Sequence, residues 1–285
     1  RKVVNRLLNK TLYIRTLSGA GLVIVVLGTV LWSPYTMLAL LLVLTIGSMN
    51  EFYRIARMKQ VTPLRIYPIA IGAGIVITSF FVATGAASAR ALTWVLPAVF
   101  ILFIAGLYDK RSTHVENIVW EIGGIVYVAV PMALLTALPL SGVYGTIIYT
   151  PSILLSILFI VWANDVGAYL TGVAFGRRKL FERISPNKSW EGFFGGVACA
   201  ILVGGICGYA SAPSPNSILV WAGAGAVIAI SGVFGDLIES MLKRSVGIKD
   251  SGNILPGHGG FLDRFDALIL AAPFVYTYFT VIFTC

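Results

Sequence analysis

The sequence predicts an all-α, polytopic integral membrane protein with about nine transmembrane helices and a cytoplasmic N-terminus. Three observations carry that prediction. Mean hydropathy is +0.88, and only 12% of the 285 residues are charged, where a soluble domain carries about 25%. Apolar runs of the roughly 20 residues needed to cross a bilayer recur along the chain. Finally, every one of the 21 Lys and Arg residues except Arg90 falls in the N-terminal arm or in alternate connections between those runs, the asymmetry that marks the cytoplasmic side.

The apolar runs lie at 17–33, 34–50, 66–84, 91–108, 118–138, 152–174, 192–211, 217–238 and 266–284. The first follows a basic arm and is long enough to span, unlike the short core of a cleavable signal peptide. Ser33-Pro34 joins it tightly to the second. The connection after the second run carries Arg54, Arg57 and Lys59, read as topology signals that also attract anionic headgroups. All twelve Asp and Glu, with His114 and His258, lie in these same connections or toward the cytoplasmic ends of the runs that flank them. Charge of +9 distributed in this way follows membrane topology and gives no footing for a nucleic-acid partner. Glycines within the spans, such as Gly195-Gly196, Gly204-Gly205, Gly223 and Gly225, read as close helix packing. Cys199, Cys207 and Cys285 show no metal or disulfide spacing and read as inert thiols. Residues 1–150 carry few polar interruptions and read as scaffold helices; 151–285 read as the catalytic part of one integrated membrane domain.

Three polar clusters interrupt the second part. In VWANDVGAY (161–169), Asp165 lies inside the sixth run, one helical turn before Tyr169; an intramembrane carboxylate is expensive and marks a candidate site. In FGRRKLFERISPNKSWEGFFGG (175–196), Pro186 breaks regular structure, and Ser185, Asn187, Lys188 and Ser189 offer donors on a short turn. Ser189 is the expected N-cap of the next helix, with Glu191 in its first turn. A helix start beside Lys188, Arg177, Arg178 and Lys179 suits a phosphate or triphosphate.

The third cluster runs from Asp236 through SMLKRSVGIKDSGNILPGHGGFLDRFD (240–266). Glu239 and Lys243 are four apart and read as an ordinary helical pair. Asp236 closes the eighth run, while Asp263 and Asp266 open the ninth. Asp236 and Asp263, with Lys and Arg around them, suit a hard divalent cation that bridges to substrate phosphates. The glycines of Gly257-His258-Gly259-Gly260 would let backbone approach a phosphoryl group. Together these groups fit metal-assisted phosphoryl or nucleotidyl transfer.

This last segment resembles a known signature closely. Ser240-x-Leu242-Lys243-Arg244, Lys249-Asp250-x-Gly252 and Leu255-Pro256-x-His258-Gly259-Gly260-Phe261-x-Asp263-Arg264-Phe265-Asp266 resemble the phosphatidate cytidylyltransferase, or CDP-diacylglycerol synthase, family. The Ser-Pro-x-Lys-Ser-x-Glu-Gly run at 185–192 is similar to that family's second motif, and Trp162-x-x-Asp165-x-x-Ala168-Tyr169 to a third, with Val166 in place of Thr or Ser. The resemblance covers about 160–285. It implies transfer of a cytidylyl group from CTP to phosphatidate, magnesium dependence with a monovalent cation such as potassium sharing the site, and a homodimer in the inner cell membrane with its active site facing the cytoplasm. It makes Asp236 and Asp263 metal ligands, and assigns Lys188, Lys243, Arg244, Lys249 and Arg264 to the two polyanions. Asp165 and His258 join the catalytic candidates, and Ser185, Asn187, Ser189, Glu191, Asp250, Gly259 and Gly260 the substrate-binding ones. Two other readings stand beside it: another CTP-dependent lipid transferase such as a polyprenol kinase, and an ion-coupled transporter using Asp165 and Asp236.

Overall fold

The computed structural model describes residues 18–110, 113–143, 146–252 and 259–284. Among them are nine helices: α1 (Ser18–Trp32), α2 (Pro34–Met58), α3 (Ile66–Ala83), α4 (Val95–Leu107), α5 (His114–Ala137), α6 (Pro151–Phe175), α7 (Trp190–Ser211), α8 (Pro215–Arg244) and α9 (Leu262–Thr284). Eight of them, counting the 3₁₀ turn Ala89–Trp94 with α4, are long and apolar enough to cross a membrane. The expected all-α polytopic fold is the one observed.

Local signals explain the breaks. At Ser33 the backbone is extended, its hydroxyl accepts from Tyr35 N, and Pro34 opens α2, where a proline loses no helical hydrogen bond. Ser214 and Pro215 repeat the device at α8. Within α5, Ile125–Ala129 forms a π turn. Pro131 follows it and cannot donate to the carbonyl of Tyr127, so the wider turn falls where the regular ladder would lose a bond.

Three boundaries differ from the sequence reading. Helix α2 continues eight residues past 50 and so includes Glu51. Helix α8 runs on to Arg244, extending the helix through Glu239 and Lys243, and α9 starts at Leu262. Glu51, Glu239 and Lys243 in these extensions are buried inside the protein, so they do not end the helix as they would end a lipid-facing stretch. Two antiparallel hairpins were not expected: β1 (Leu140–Val143) with β2 (Thr146–Tyr149), and β3 (Lys179–Phe181) with β4 (Ser185–Ser189). Each pairs backbone groups of a connection between two helices.

Packing concentrates in α6, α7, α8 and α9. The face of α7 made of Gly192, Gly196, Ala200, Gly204 and Gly208 is buried. A side chain at Gly204 would run into the Trp221 carbonyl of α8, and one at Gly225 of α8 into the Ala200 carbonyl of α7. The small residues therefore set the helix spacing, as expected for packing within a bilayer. In the other half, Phe52 packs on Trp120 at 5.0 Å and Tyr127 at 5.8 Å, and Tyr53 Oη donates to Glu121 O at 2.9 Å. Helix α9 touches both groups, packing on α8 and also on α5 and α2. The exposed side chains of α4, among them Leu96, Phe100, Phe103 and Leu107, are apolar, as a lipid-facing surface requires.

Candidate active site

The C-terminal ends of α6 and α8, the start of α7, the β3–β4 hairpin and the start of α9 surround one cavity of about 950 Å³. Its polar wall contains Asp165, Ser185, Asn187, Lys188, Ser189, Asp236, Lys243, Asp250, Asp263, Arg264 and Asp266. Its apolar wall comes from Leu22, Val23 and Val26 of α1, Val161 of α6, Phe193 of α7 and Val233 of α8. Ten of the residues singled out from sequence thus share one space although they span a hundred positions.

Each polar side chain has a local reason for its place. Ser189 caps α7, its hydroxyl accepting from Gly192 N at 3.1 Å, as the sequence predicts. Glu191 turns back and accepts from the backbone N–H groups of Arg177 and Arg178 at 3.1 and 3.2 Å. It therefore ties the hairpin to the helix start and is not part of the cavity wall. Lys188, carried on β4, places Nζ 2.7 Å from Asp236 Oδ2, and Ser240 Oγ donates to the other Asp236 oxygen at 3.2 Å. Asp165 lies within electrostatic range of Asp236, Lys188 and Arg264.

Asp263 is the most heavily engaged carboxylate of the cavity. Lys243 Nζ donates to it at 2.7 Å, Gly260 N at 2.8 Å and Ser251 N at 2.9 Å. Lys243 also pairs with buried Glu239. Gly259 has φ +84, and a side chain there would press on Asp263, so glycine is needed for the turn on both counts. Arg244 Nη1 donates to Ile248 O at 3.0 Å and Lys249 is exposed; neither lines the cavity. His258 lies outside the described residues.

The expected metal pair was Asp236 with Asp263. Among the described residues, the metal-capable groups that converge are Asp236, Glu239 and Asp266, with carboxylate oxygens all within 4.8 Å of one another. Asp263 sits in the first turn of α9 and is held by the amides of Ser251 and Gly260, by Lys243 and by the Glu239 carboxyl; Asp266, three residues on, completes the group with Asp236 and Glu239. Glu239 Oε1 is buried with no hydrogen-bond donor among the described residues. Three converging carboxylates, one with an unsatisfied oxygen, form a donor set that fits a hard divalent cation.

Sequence reasoning missed four contributors. Glu239 was explained by its helical pairing with Lys243, which exists but uses one oxygen. Asp266 was noted only as a motif member, although its i+3 spacing from Asp263 puts it on nearly the same helix face. Tyr127 brings a buried hydroxyl without a hydrogen-bond partner among the described residues, within electrostatic range of Asp266, Glu239 and Asp236. Glu51, the first acidic residue of the chain, accepts from Ser251 Oγ, Phe261 N and Leu262 N. Its one available signal was its isolation at the end of an apolar run.

Carboxylates, lysines and an apolar wall in one cavity can bring a phosphate-bearing lipid beside a polyanionic co-substrate. Comparison with known proteins finds relatives over part of the chain and a family match over most of it. Phosphatidate cytidylyltransferases of Pseudomonas aeruginosa, Bacillus subtilis and Haemophilus influenzae are similar to this chain. They are 46% identical over 121 residues, 47% over 118 and 47% over 139, respectively. These alignments cover 42%, 41% and 46% of this chain and 45%, 43% and 46% of the relatives, so the matched stretch spans a little under half the length of each relative. The model of the cytidylyltransferase family matches far more, residues 13–282. With nearly the whole described bundle inside that match, the chain belongs to the cytidylyltransferase family.

Proposed function

We propose that the protein is a phosphatidate cytidylyltransferase, converting CTP and phosphatidate to CDP-diacylglycerol and pyrophosphate. The observation that carries this reading is the single cavity in which Lys188, Asp236, Asp263 and Asp266 face an apolar wall from α1, α6, α7 and α8. A lipid phosphate needs both kinds of surface, and a triphosphate needs the first. The names of the three relatives support the same choice of substrates.

The chemistry asks little covalent participation from the protein. A phosphate oxygen of phosphatidate attacks the α-phosphorus of CTP and a new P–O bond forms. The α–β anhydride bond breaks, and pyrophosphate leaves with the electron pair. The phosphate is already ionised near neutral pH, so no serine or cysteine nucleophile is required. What the protein must supply is orientation and offset of the repulsion between two polyanions. Lys188, Lys243 and Arg264 are the cations on the cavity wall, and Ser185 and Asn187 are polar groups on the hairpin that can orient a phosphate. Asp236, Glu239 and Asp266 would hold a Mg²⁺ ion, which supplies further charge neutralisation on the phosphates. Potassium as a second cation, and the homodimer, belong to this reading through the family resemblance.

The Lys/Arg distribution supports a cytoplasmic placement of the cavity, the side on which CTP is available. The test is direct. Purified protein in detergent, given CTP radiolabelled in the cytidine, phosphatidate and Mg²⁺, is expected to form a lipid-soluble labelled product. Label that stays entirely in the aqueous phase overturns the proposal.

A further inference from the structure

Glu51 lies in the half of the chain read as scaffold, about two hundred positions from the residues it holds, and is 2% exposed. Its Oε2 accepts from Ser251 Oγ and Leu262 N, both at 2.8 Å, and its Oε1 from Phe261 N at 3.1 Å. It therefore holds two separate stretches together: Ser251, and Phe261-Leu262 where α9 begins. Asp263 grips the same two places from the other side, through Ser251 N and Gly260 N. Two carboxylates thus tie Ser251 to the residues 260–262, and one of them comes from α2.

The surroundings are built for this contact. A side chain at Gly252 or at Gly260 would collide with the Glu51 carboxylate, and one at Gly47, a turn earlier in α2, would collide with the Phe261 ring. All three glycines let α2, the loop and the carboxylate approach one another. The donors Phe261 N and Leu262 N are amides at the start of α9, where a helix leaves N–H groups without intrahelical partners and favours negative charge. A carboxylate buried this deeply is costly unless its oxygens are satisfied; here each of them accepts a hydrogen bond.

We infer that Glu51 is a positioning residue for the active site: it fixes the start of α9, and so sets Asp263 against Lys243 and Asp266 against Asp236 and Glu239. Its role in turnover rests on the cytidylyltransferase reading, whereas its grip on the loop does not. Glu51→Gln keeps the size but replaces one acceptor oxygen with an NH₂ donor that would face an N–H or hydroxyl.

Hydrogen–deuterium exchange with mass spectrometry on the purified full chain measures the grip without any substrate. In Glu51→Gln, amides of 251–252 and 259–264 are expected to exchange about tenfold faster or more, while α6 and α7 keep their wild-type protection. With CTP and phosphatidate supplied, KM for CTP is expected to rise about tenfold, because Arg264 and Asp263 lose their fixed placement. Loss of folded protein alone would lower the apparent kcat and leave KM unchanged. Unchanged exchange in the loop overturns the inference, as does an increase spread evenly over all helices. Faster loop exchange with an unchanged KM overturns the positioning role. If wild-type protein makes no cytidylated lipid, the proposed function fails, and the exchange data still decide whether Glu51 holds the loop. Should Glu51→Gln not be recovered folded, Ser251→Ala, which removes one of the three donors, carries the same measurements with a smaller expected change.

Discussion

Lys188 and Asp236 meet at the cavity wall at 2.7 Å, joining the β3–β4 hairpin to α8 about two turns before its C-terminal end. Their side chains are 25% and 42% exposed, so the pair is not a structural pin; such a half-exposed contact stabilises a fold by no more than about 1 kcal/mol. Lys188→Ala should therefore leave the thermal unfolding midpoint in detergent within about 3 °C of wild type. Product formation should fall by about a hundredfold, the effect typical of losing one charge-stabilising group. A large loss of stability with modest loss of rate would reverse this assignment.

Asp263 and Asp266 lie three residues apart on α9, yet their substitutions should behave differently. Asp263→Asn takes away one of the two buried carboxylates paired with Lys243 and weakens the acceptor for two backbone amides. It is expected to cost about 3 kcal/mol of stability, read as a lowered unfolding midpoint with or without metal. Asp266→Asn removes one of the three converging carboxylates. In wild type, Mg²⁺ at a hundred times its dissociation constant should stabilise the fold by about 2.7 kcal/mol, and chelation should abolish both that gain and turnover. Asp266→Asn should lose the Mg²⁺-dependent shift while keeping the metal-free midpoint. If Asp263→Asn instead loses the shift and Asp266→Asn retains it, the ion belongs to the pair read first from sequence.

Much of this arrangement was legible in the sequence, and the remainder was hidden for physical reasons. Length and polarity of the apolar runs define the membrane helices because a bilayer admits few alternatives. Ser189 could be assigned as a cap because capping is local. Glu51 could not be assigned: its partners Ser251, Phe261 and Leu262 are distant in the chain, and two of its three bonds are to backbone amides, which have no sequence signature. The hairpin that carries Lys188 was read as a turn because Pro186 argues against a regular strand; in a two-stranded ribbon an unpaired position tolerates it. The motif shows that Asp236, Asp263 and Asp266 gather, but not which of them the backbone amides Ser251 N and Gly260 N engage.

The packing of α7 on α8 gives a contrast that is independent of function. Gly204 faces the Trp221 carbonyl with no room for a side chain, whereas Gly21 in α1 has nothing within 4 Å. Gly204→Val should force the helices apart and cost about 3 kcal/mol or prevent recovery of folded protein. Gly21→Val should be recovered with a wild-type unfolding midpoint. Equal behaviour of the two variants in detergent would mean that the small-residue face does not set the helix spacing.

The apolar wall offers a way to separate the two substrates kinetically. Helix α1 reaches the cavity through Gly19, Leu22, Val23 and Val26, and the basic and acidic side chains lie on the other helices, the hairpin and, for Asp250, the stretch after α8. An acyl chain can meet the α1 wall, whereas a nucleotide triphosphate has nothing there to bind. Leu22→Trp adds bulk to that wall without touching Lys188, Asp236 or the α9 start. It is expected to raise KM for phosphatidate about tenfold, in line with overfilling an apolar pocket by a large ring, while KM for CTP stays at its wild-type value. Initial rates with each substrate varied at saturation of the other measure both constants. A rise in KM for CTP alone would place the nucleotide, and not the lipid, against α1, and would invert the proposed orientation of the two substrates in the cavity.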